Sequence, residues 1–140
     1  MQKVYVLFAV LYPIRYICKM KTANKKDSNI RELYFSDEFV EFYDKLHDKI
    51  KTKFEYTLDI IRTEYILSTK FVKRLENTNL YEMRVSVSTN EYRTILFAVD
   101  NDNIILSKRI LLLNGFLKKS TKDYSKQIKI AEQILRSFES

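Results

Sequence analysis

Between Ile30 and Phe138 the pattern of apolar positions switches repeatedly between the period of a strand and that of a helix. Ile30 to Phe35 (IRELYF) is rich in strand-forming residues and stops at Ser36-Asp37, two good helix N-caps, ahead of Phe39, Phe42, Tyr43 and Leu46 on one helical face. The helical spacing resumes with Ile50, Phe54, Thr57, Leu58 and Ile61, which predicts a second helix from about Asp48 to about Thr63 and a hairpin of two helices. The aromatic stripe along them reads as core packing. Leu80 to Val87 (LYEMRVSV) then alternates, with Tyr81, Met83, Val85 and Val87 on one side and Glu82, Arg84 and Ser86 on the other.

Thr89-Asn90-Glu91 is expected to turn the chain into a second strand, Tyr92 to Val99 (YRTILFAV), closing a β-hairpin. A second turn at Asp100 to Asn103 leads to Ile104–Leu106 and Ile110–Phe116, which complete an antiparallel meander, with Gly115 bending the chain where it leaves the sheet. Ile128, Ala131, Ile134, Leu135 and Phe138 mark a final amphipathic helix from about Ser125. The order β, α, α, three antiparallel strands, α predicts a small α+β domain: an N-terminal strand and helical hairpin, a β-meander and a C-terminal helix. The helices are expected on one face of a twisted sheet, leaving the opposite face for a ligand.

With 140 residues, 46% of them hydrophobic and 14% aromatic, the chain has apolar material for one compact core, and a single Gly and a single Pro leave little room for long linkers. The expected division is an extension over residues 1–29 and a domain over 30–140. The extension opens with MQKVYVLFAVLYPIRYICK, whose apolar run from Val4 to Tyr12 is too short to span a bilayer, so no stable membrane association is expected. It has the charged and apolar regions of a secretory signal without a small-x-small cleavage pattern. The favoured reading is that translation starts at Met20, after which the sequence turns polar; a packed or membrane-associated helix and a true signal are the alternatives.

The lone Cys18 can form neither an internal disulfide nor a thiolate zinc site, which fits a reducing compartment and a cytoplasmic protein. His47, the only histidine, sits in a charged helical pattern beside Asp44 and Asp48 and reads as a surface helix residue. No phosphate-cradling glycine loop, metal-ligand cluster or Ser/His/Asp arrangement is present, which argues against nucleotide hydrolysis, zinc chemistry and ester hydrolysis and leads us to expect no cofactor and no metal. Twenty-five basic residues against 18 acidic ones give a net charge of +7 and favour an anionic partner. The excess is concentrated between Ile104 and Lys129, where Lys108, Arg109, Lys118, Lys119, Lys122, Lys126 and Lys129 face Asp123 alone.

Four segments are similar to the RelE/HigB toxin superfamily of type II toxin-antitoxin systems, specifically its phage-derived HigB-like branch: Lys73-Arg74-Leu75-Glu76, Leu80-Tyr81-Glu82-Met83-Arg84, Glu91-Tyr92-Arg93, and Leu112 to Ser120 (LLNGFLKKS). The resemblance runs from about Ile30 to Phe138. It implies a RelE-like fold and a ribosome-dependent mRNA endonuclease silenced by a cognate antitoxin, often a helix-turn-helix protein encoded next to it.

Cutting RNA without a metal uses the ribose 2′-OH against the adjacent phosphate, so a site must remove that proton, stabilise a more negative phosphorane and help the 5′-oxygen leave. Arg84 lies on the polar side of its strand beside Glu82, and Arg93 opens the neighbouring strand, so the two guanidiniums can approach one phosphate and are the candidate transition-state stabilisers. The bland reading is an exposed cross-strand pair with Glu82 or Glu91, worth under ~1 kcal/mol. In related toxins the segment after the last strand closes the site, which implies phosphate or leaving-group stabilisation by Lys119 and base stacking or proton transfer by Tyr124, against plain roles as a solvated charge and a packing residue. Lys70, Lys73, Arg74, Lys118 and Lys122 are candidates for the RNA backbone. Several family members carry Lys or His where this chain has Glu82 or the segment from Lys118 to Tyr124; that departure leaves the general base open, with Glu82 the remaining candidate. The competing reading is a noncatalytic basic domain that holds RNA or the ribosome without cutting.

Overall fold

A computed structural model describes residues 29–139, so the expectations for Met1–Lys19, Cys18 and a start at Met20 lie outside the described residues. Among the described residues the order is β1 (Glu32–Phe35), α1 (Asp37–Asp44), α2 (Asp48–Thr63), β2 (Val72–Arg74), β3 (Leu80–Val87), β4 (Asn90–Ala98), β5 (Arg109–Leu117) and α3 (Thr121–Ser137). The strands form one mixed sheet in the order β1-β5-β4-β3-β2, with β1 parallel to β5 and every other pair antiparallel. The α+β class, the helical hairpin, the meander and the C-terminal helix are as the pattern predicts.

The layering differs from expectation. Leu33, Phe35, Met83, Val85, Leu96, Ile110 and Leu112 pack on one side against Phe39, Tyr43, Phe54, Leu58 and Ile61 of the helical hairpin. Tyr34, Leu80, Ile95, Phe97, Leu111 and Leu113 pack on the other against Ala131, Ile134, Leu135 and Phe138. The sheet is therefore covered on both faces, and α3 occupies the face expected to be open. The physical reason lies in β4 and β5, whose continuous apolar runs demand cover on both sides.

Local chemistry sets the other boundaries. Ser36 caps α1 by accepting from the Phe39 N–H at 3.0 Å, while its own hydroxyl donates to the Leu113 carbonyl. Ser88, at φ 57°, and Thr89 make the β3–β4 turn, one residue earlier than predicted. Gly115 does not end β5, which continues to Leu117; a Cβ there would collide with the Phe42 ring, so glycine is what lets α1 lie against the strand. A bulge between Ile95 and Leu96 sets Asn114 opposite Ile95 and Leu112 opposite Leu96 and leaves Leu113 as the extra residue of β5. α3 begins at Thr121, capped by Ser120, rather than near Ser125. His47 is exposed, as expected, but stands at the N-cap of α2 and makes no side-chain cap bond.

Ile104–Leu106 is a turn and not a strand. Tyr81 Oη donates to the Asp102 carbonyl at 2.8 Å and accepts from the Ile104 N–H at 3.3 Å. Arg31, only 2% exposed, reaches the same turn and spends its guanidinium on five carbonyls: Ile104 through Nε, Ile61 and Glu64 through Nη1, Tyr65 and Ile105 through Nη2. One side chain thus ties the start of β1 to the end of α2 and the β4–β5 connection. That connection is also held by Asp100, which accepts from the Ser107 hydroxyl at 2.5 Å and the Lys108 N–H at 3.0 Å. Partial burial pushes the Asp100 carboxyl up, but the Ser107 hydroxyl and the N–H groups of Lys108 and Arg109 outweigh it and hold the carboxyl below its ordinary value.

Replacing Arg31 with Met leaves these carbonyls without their donor and is expected to lower stability by about 3 kcal/mol or more, read as a reduced urea midpoint at unchanged m. A carboxyl held low in the folded chain stabilises it above the unfolded value, near ~3.9, and that contribution is lost as pH falls through the folded value. Asp100→Asn should therefore lower the melting temperature at neutral pH and flatten its fall below pH ~4, as followed by thermal denaturation across a pH series.

Candidate active site

Strand register assembles the candidate side chains. Arg84 stands directly opposite Arg93 and Arg93 opposite Phe116, while the row two residues along aligns Lys73, Glu82, Ile95 and Asn114. Directly paired residues share a face. These rows lie on the face that carries Ile95 and Phe116, the one α3 covers. Because α3 starts just past the end of β5, its first turn lies over the rows. Tyr124 comes down there with its ring 5.7 Å from that of Phe116, and its hydroxyl donates to Glu82 Oε1. Farther along α3, Gln127 accepts from Asn114 Nδ2 through its carbonyl at 3.2 Å and its side chain at 3.1 Å.

Glu82 is the centre of this cluster. It is buried, with Arg84 Nε 3.3 Å from Oε2 and Arg93 Nε 3.8 Å from Oε1. The two arginines are not equivalent. The Arg84 side chain is 32% exposed and that of Arg93 only 4%. Arg93 is held further by Nη1, which donates to Glu91 Oε1 at 3.2 Å and to the Tyr92 carbonyl at 3.0 Å. Glu91 also accepts from the Ser86 hydroxyl at 2.7 Å, and that bond, with Arg93 behind it, holds the Glu91 carboxyl below the usual carboxylate range.

The remaining candidates divide. Lys73 is exposed beside Glu82 across the strand, and Lys118 places Nζ 5.9 Å from the Tyr124 ring centroid, so both stand at the rim of the cluster. Lys119 is exposed on the connection into α3. Lys122 is exposed on the first turn, where it lines a shallow depression with Lys126 and Lys129. Arg74 is not part of the group: it pairs with Tyr81, lies 5.6 Å over that ring and donates to the Thr78 carbonyl at 3.2 Å, on the face of the helical hairpin. Lys70 sits at the sheet margin with Nζ 5.5 Å from the Phe71 ring.

Phe116 and Asn114 were not singled out as site residues from the sequence, while Glu91, named there as an ion-pair partner of the arginines, does pair with Arg93 and stands opposite Ser86. Among the described residues no three His, Cys, Asp or Glu side chains gather where they could hold a metal ion, and no helix is long and apolar enough to cross a membrane. The arrangement offers two guanidiniums, a carboxylate and a phenol within one small area, groups of the kinds that bind phosphate and transfer protons.

Residues 41–136 match the family model described as Phage derived protein Gp49-like. The fold is similar to that of the E. coli toxin RelE, solved in the free state as a double arginine-to-alanine mutant, with a TM-score of 0.52 and 13% identity over 71% of this chain and 96% of that one. At that identity the likeness is one of fold. No curated protein matches the chain.

The unequal burial of the arginines carries a measurable consequence. Arg93→Ala empties the buried side of the network and takes one of two guanidiniums from Glu82, and is expected to cost about 3 kcal/mol, whereas Arg84→Ala should stay within about 1 kcal/mol, both read by chemical denaturation.

Proposed function

The chain belongs to the phage-derived Gp49-like protein family and has the fold of RelE, and from that premise we propose that it is the toxin of a type II toxin-antitoxin system. We read it as a cytoplasmic, metal-independent and ribosome-dependent mRNA endonuclease, neutralised by a cognate antitoxin that is a helix-turn-helix protein encoded next to it. The observation that carries this reading is the convergence of Arg84, Arg93 and Tyr124 on Glu82, on a face rimmed by lysines.

In the proposed reaction the ribose 2′-oxygen bonds to phosphorus as the bond to the 5′-oxygen breaks, giving a 2′,3′-cyclic phosphate and a 5′-hydroxyl. One proton must leave the 2′-oxygen and one must reach the 5′-oxygen. Arg84, the more exposed guanidinium, touches the phosphate and balances the charge that builds on it. Arg93 is a positioning residue, because its buried contacts fix Glu82 and Glu91. Glu82 takes the proton from the 2′-OH, and Tyr124, hydrogen-bonded to it, gives its own proton to the 5′-oxygen and recovers one from Glu82. Lys119 supplies charge at the leaving oxygen. Lys73, Lys118 and Lys122 follow the RNA backbone. Arg74, engaged on the other face of the sheet, is left out of this assignment.

Expression of the full chain, and of the form starting at Met20, is expected to arrest growth with cleavage of mRNA. Co-expression of the neighbouring gene product should abolish both. Arg84→Ala should lower cleavage about 100-fold or more while the protein stays folded. Normal growth with intact mRNA, from a protein shown to be folded, would instead favour a noncatalytic RNA- or ribosome-binding domain.

A further inference from the structure

A groove of about 550 Å³ runs along the outer margin of the sheet, between α2 and the part of β3 that extends past β2. Its walls include Lys53 and Tyr56 from α2, Lys70 and Phe71 from the segment before β2, and Arg84 and Ser86 from β3. Three of these six carry positive charge, and no carboxylate lines the groove. Tyr56 does not belong to the apolar stripe of its helix. Its side chain is 62% exposed and meets Phe71 edge-on, with ring centroids 6.4 Å apart. Lys70 lies over the other aromatic, Phe71. The Arg84 N–H bonds the Phe71 carbonyl at 2.8 Å, so by the strand's period of two Ser86 points its backbone polar groups the same way, beyond the end of β2.

An exposed ring flanked by cations, with the Ser86 backbone N–H below it, has the chemistry of a site for a nucleobase and its phosphates. The volume is of the size that accepts a small ligand. Arg84 lines this groove and also pairs with Glu82, whose cluster lies on the other face of the sheet, so the two sites meet around the open edge of β3. We propose that the groove is a single-stranded RNA subsite, in which a base next to the scissile phosphate stacks on Tyr56 while Lys53 and Lys70 hold the flanking phosphates. This rests on the reading of the chain as a ribonuclease and adds the path by which its substrate leaves the cluster.

The test is the affinity of the full chain for a fluorescent 2′-O-methyl hexaribonucleotide, which cannot be cleaved, beside growth arrest and mRNA cleavage in cells. Tyr56→Ala should weaken binding about tenfold, the weight of one stacked base, and Tyr56→Phe should restore it. Lys53→Glu with Lys70→Glu should weaken it further and reduce its salt dependence. If the wild type cleaves mRNA but Tyr56→Ala binds the hexamer as tightly, the subsite is overturned and the ribonuclease reading stands. If these variants bind RNA normally but escape the antitoxin, the groove belongs to the protein partner. If the wild type neither binds the hexamer nor cleaves, both readings fall.

Discussion

The fold depends on a guanidinium that, among the described residues, has no carboxylate partner. Arg31 is sealed under the sheet's end, where burial lowers its affinity for a proton, and its donors go to carbonyl oxygens. Taking such a charge out of water is costly unless every donor is used, and here the accepting carbonyls are spread over two separate stretches of chain, the end of α2 and the β4–β5 connection. Those stretches can satisfy the guanidinium only in one relative arrangement. Because the end of α2 and the β4–β5 connection are fixed together by it, the strands between them enter the sheet in a defined register, and register is what brings Arg84, Arg93 and Phe116 into line.

The two ends of the sheet are built for different work. At one end Arg31 is spent on backbone carbonyls, and Asp100 on the Ser107 hydroxyl and a backbone N–H. Toward the β3–β4 turn, charges meet other charges, and Glu82 occupies the space between two guanidiniums and a phenol. Polar networks of this kind hold geometry when complete. Arg84 is partly exposed and Arg93 enclosed, so in the proposed reaction the first can exchange its partner for a phosphate while the second keeps the carboxylate where it is.

Much of this was legible in the residue pattern. Period-two alternation placed Glu82, Arg84 and Ser86 on one face and Arg93 on the neighbouring strand, but the direct pairing of Arg84 with Arg93 comes from the shorter turn at Ser88-Thr89, which a turn at Thr89 to Glu91 would not give. The side of the sheet taken by α3 was harder to read, because an amphipathic helix declares that it has an apolar face without saying what it covers. The signal was present in Ile95-Leu96-Phe97 and in Leu111-Leu112-Leu113, where unbroken apolar runs rule out a solvated face. The apolar triplet at Ile104–Leu106 looked like a strand but is shaped by side chains distant in sequence, Arg31 and Tyr81. β2 escaped notice because two of its three residues are charged. The buried state of Arg31 has no local signature at all, since its partners are 30 to 74 residues away.

The margins of the sheet are its shortest strands, four residues in β1 and three in β2, and each margin carries charge: Glu32 on one, Lys73 and Arg74 on the other. Short, charged outer strands offer poor templates for edge-to-edge pairing between molecules. With helices over both faces and such strands at both sides, what the described sheet offers another copy to extend is chiefly the short stretch of β3 beyond β2, a design that disfavours edge-to-edge assembly as concentration rises.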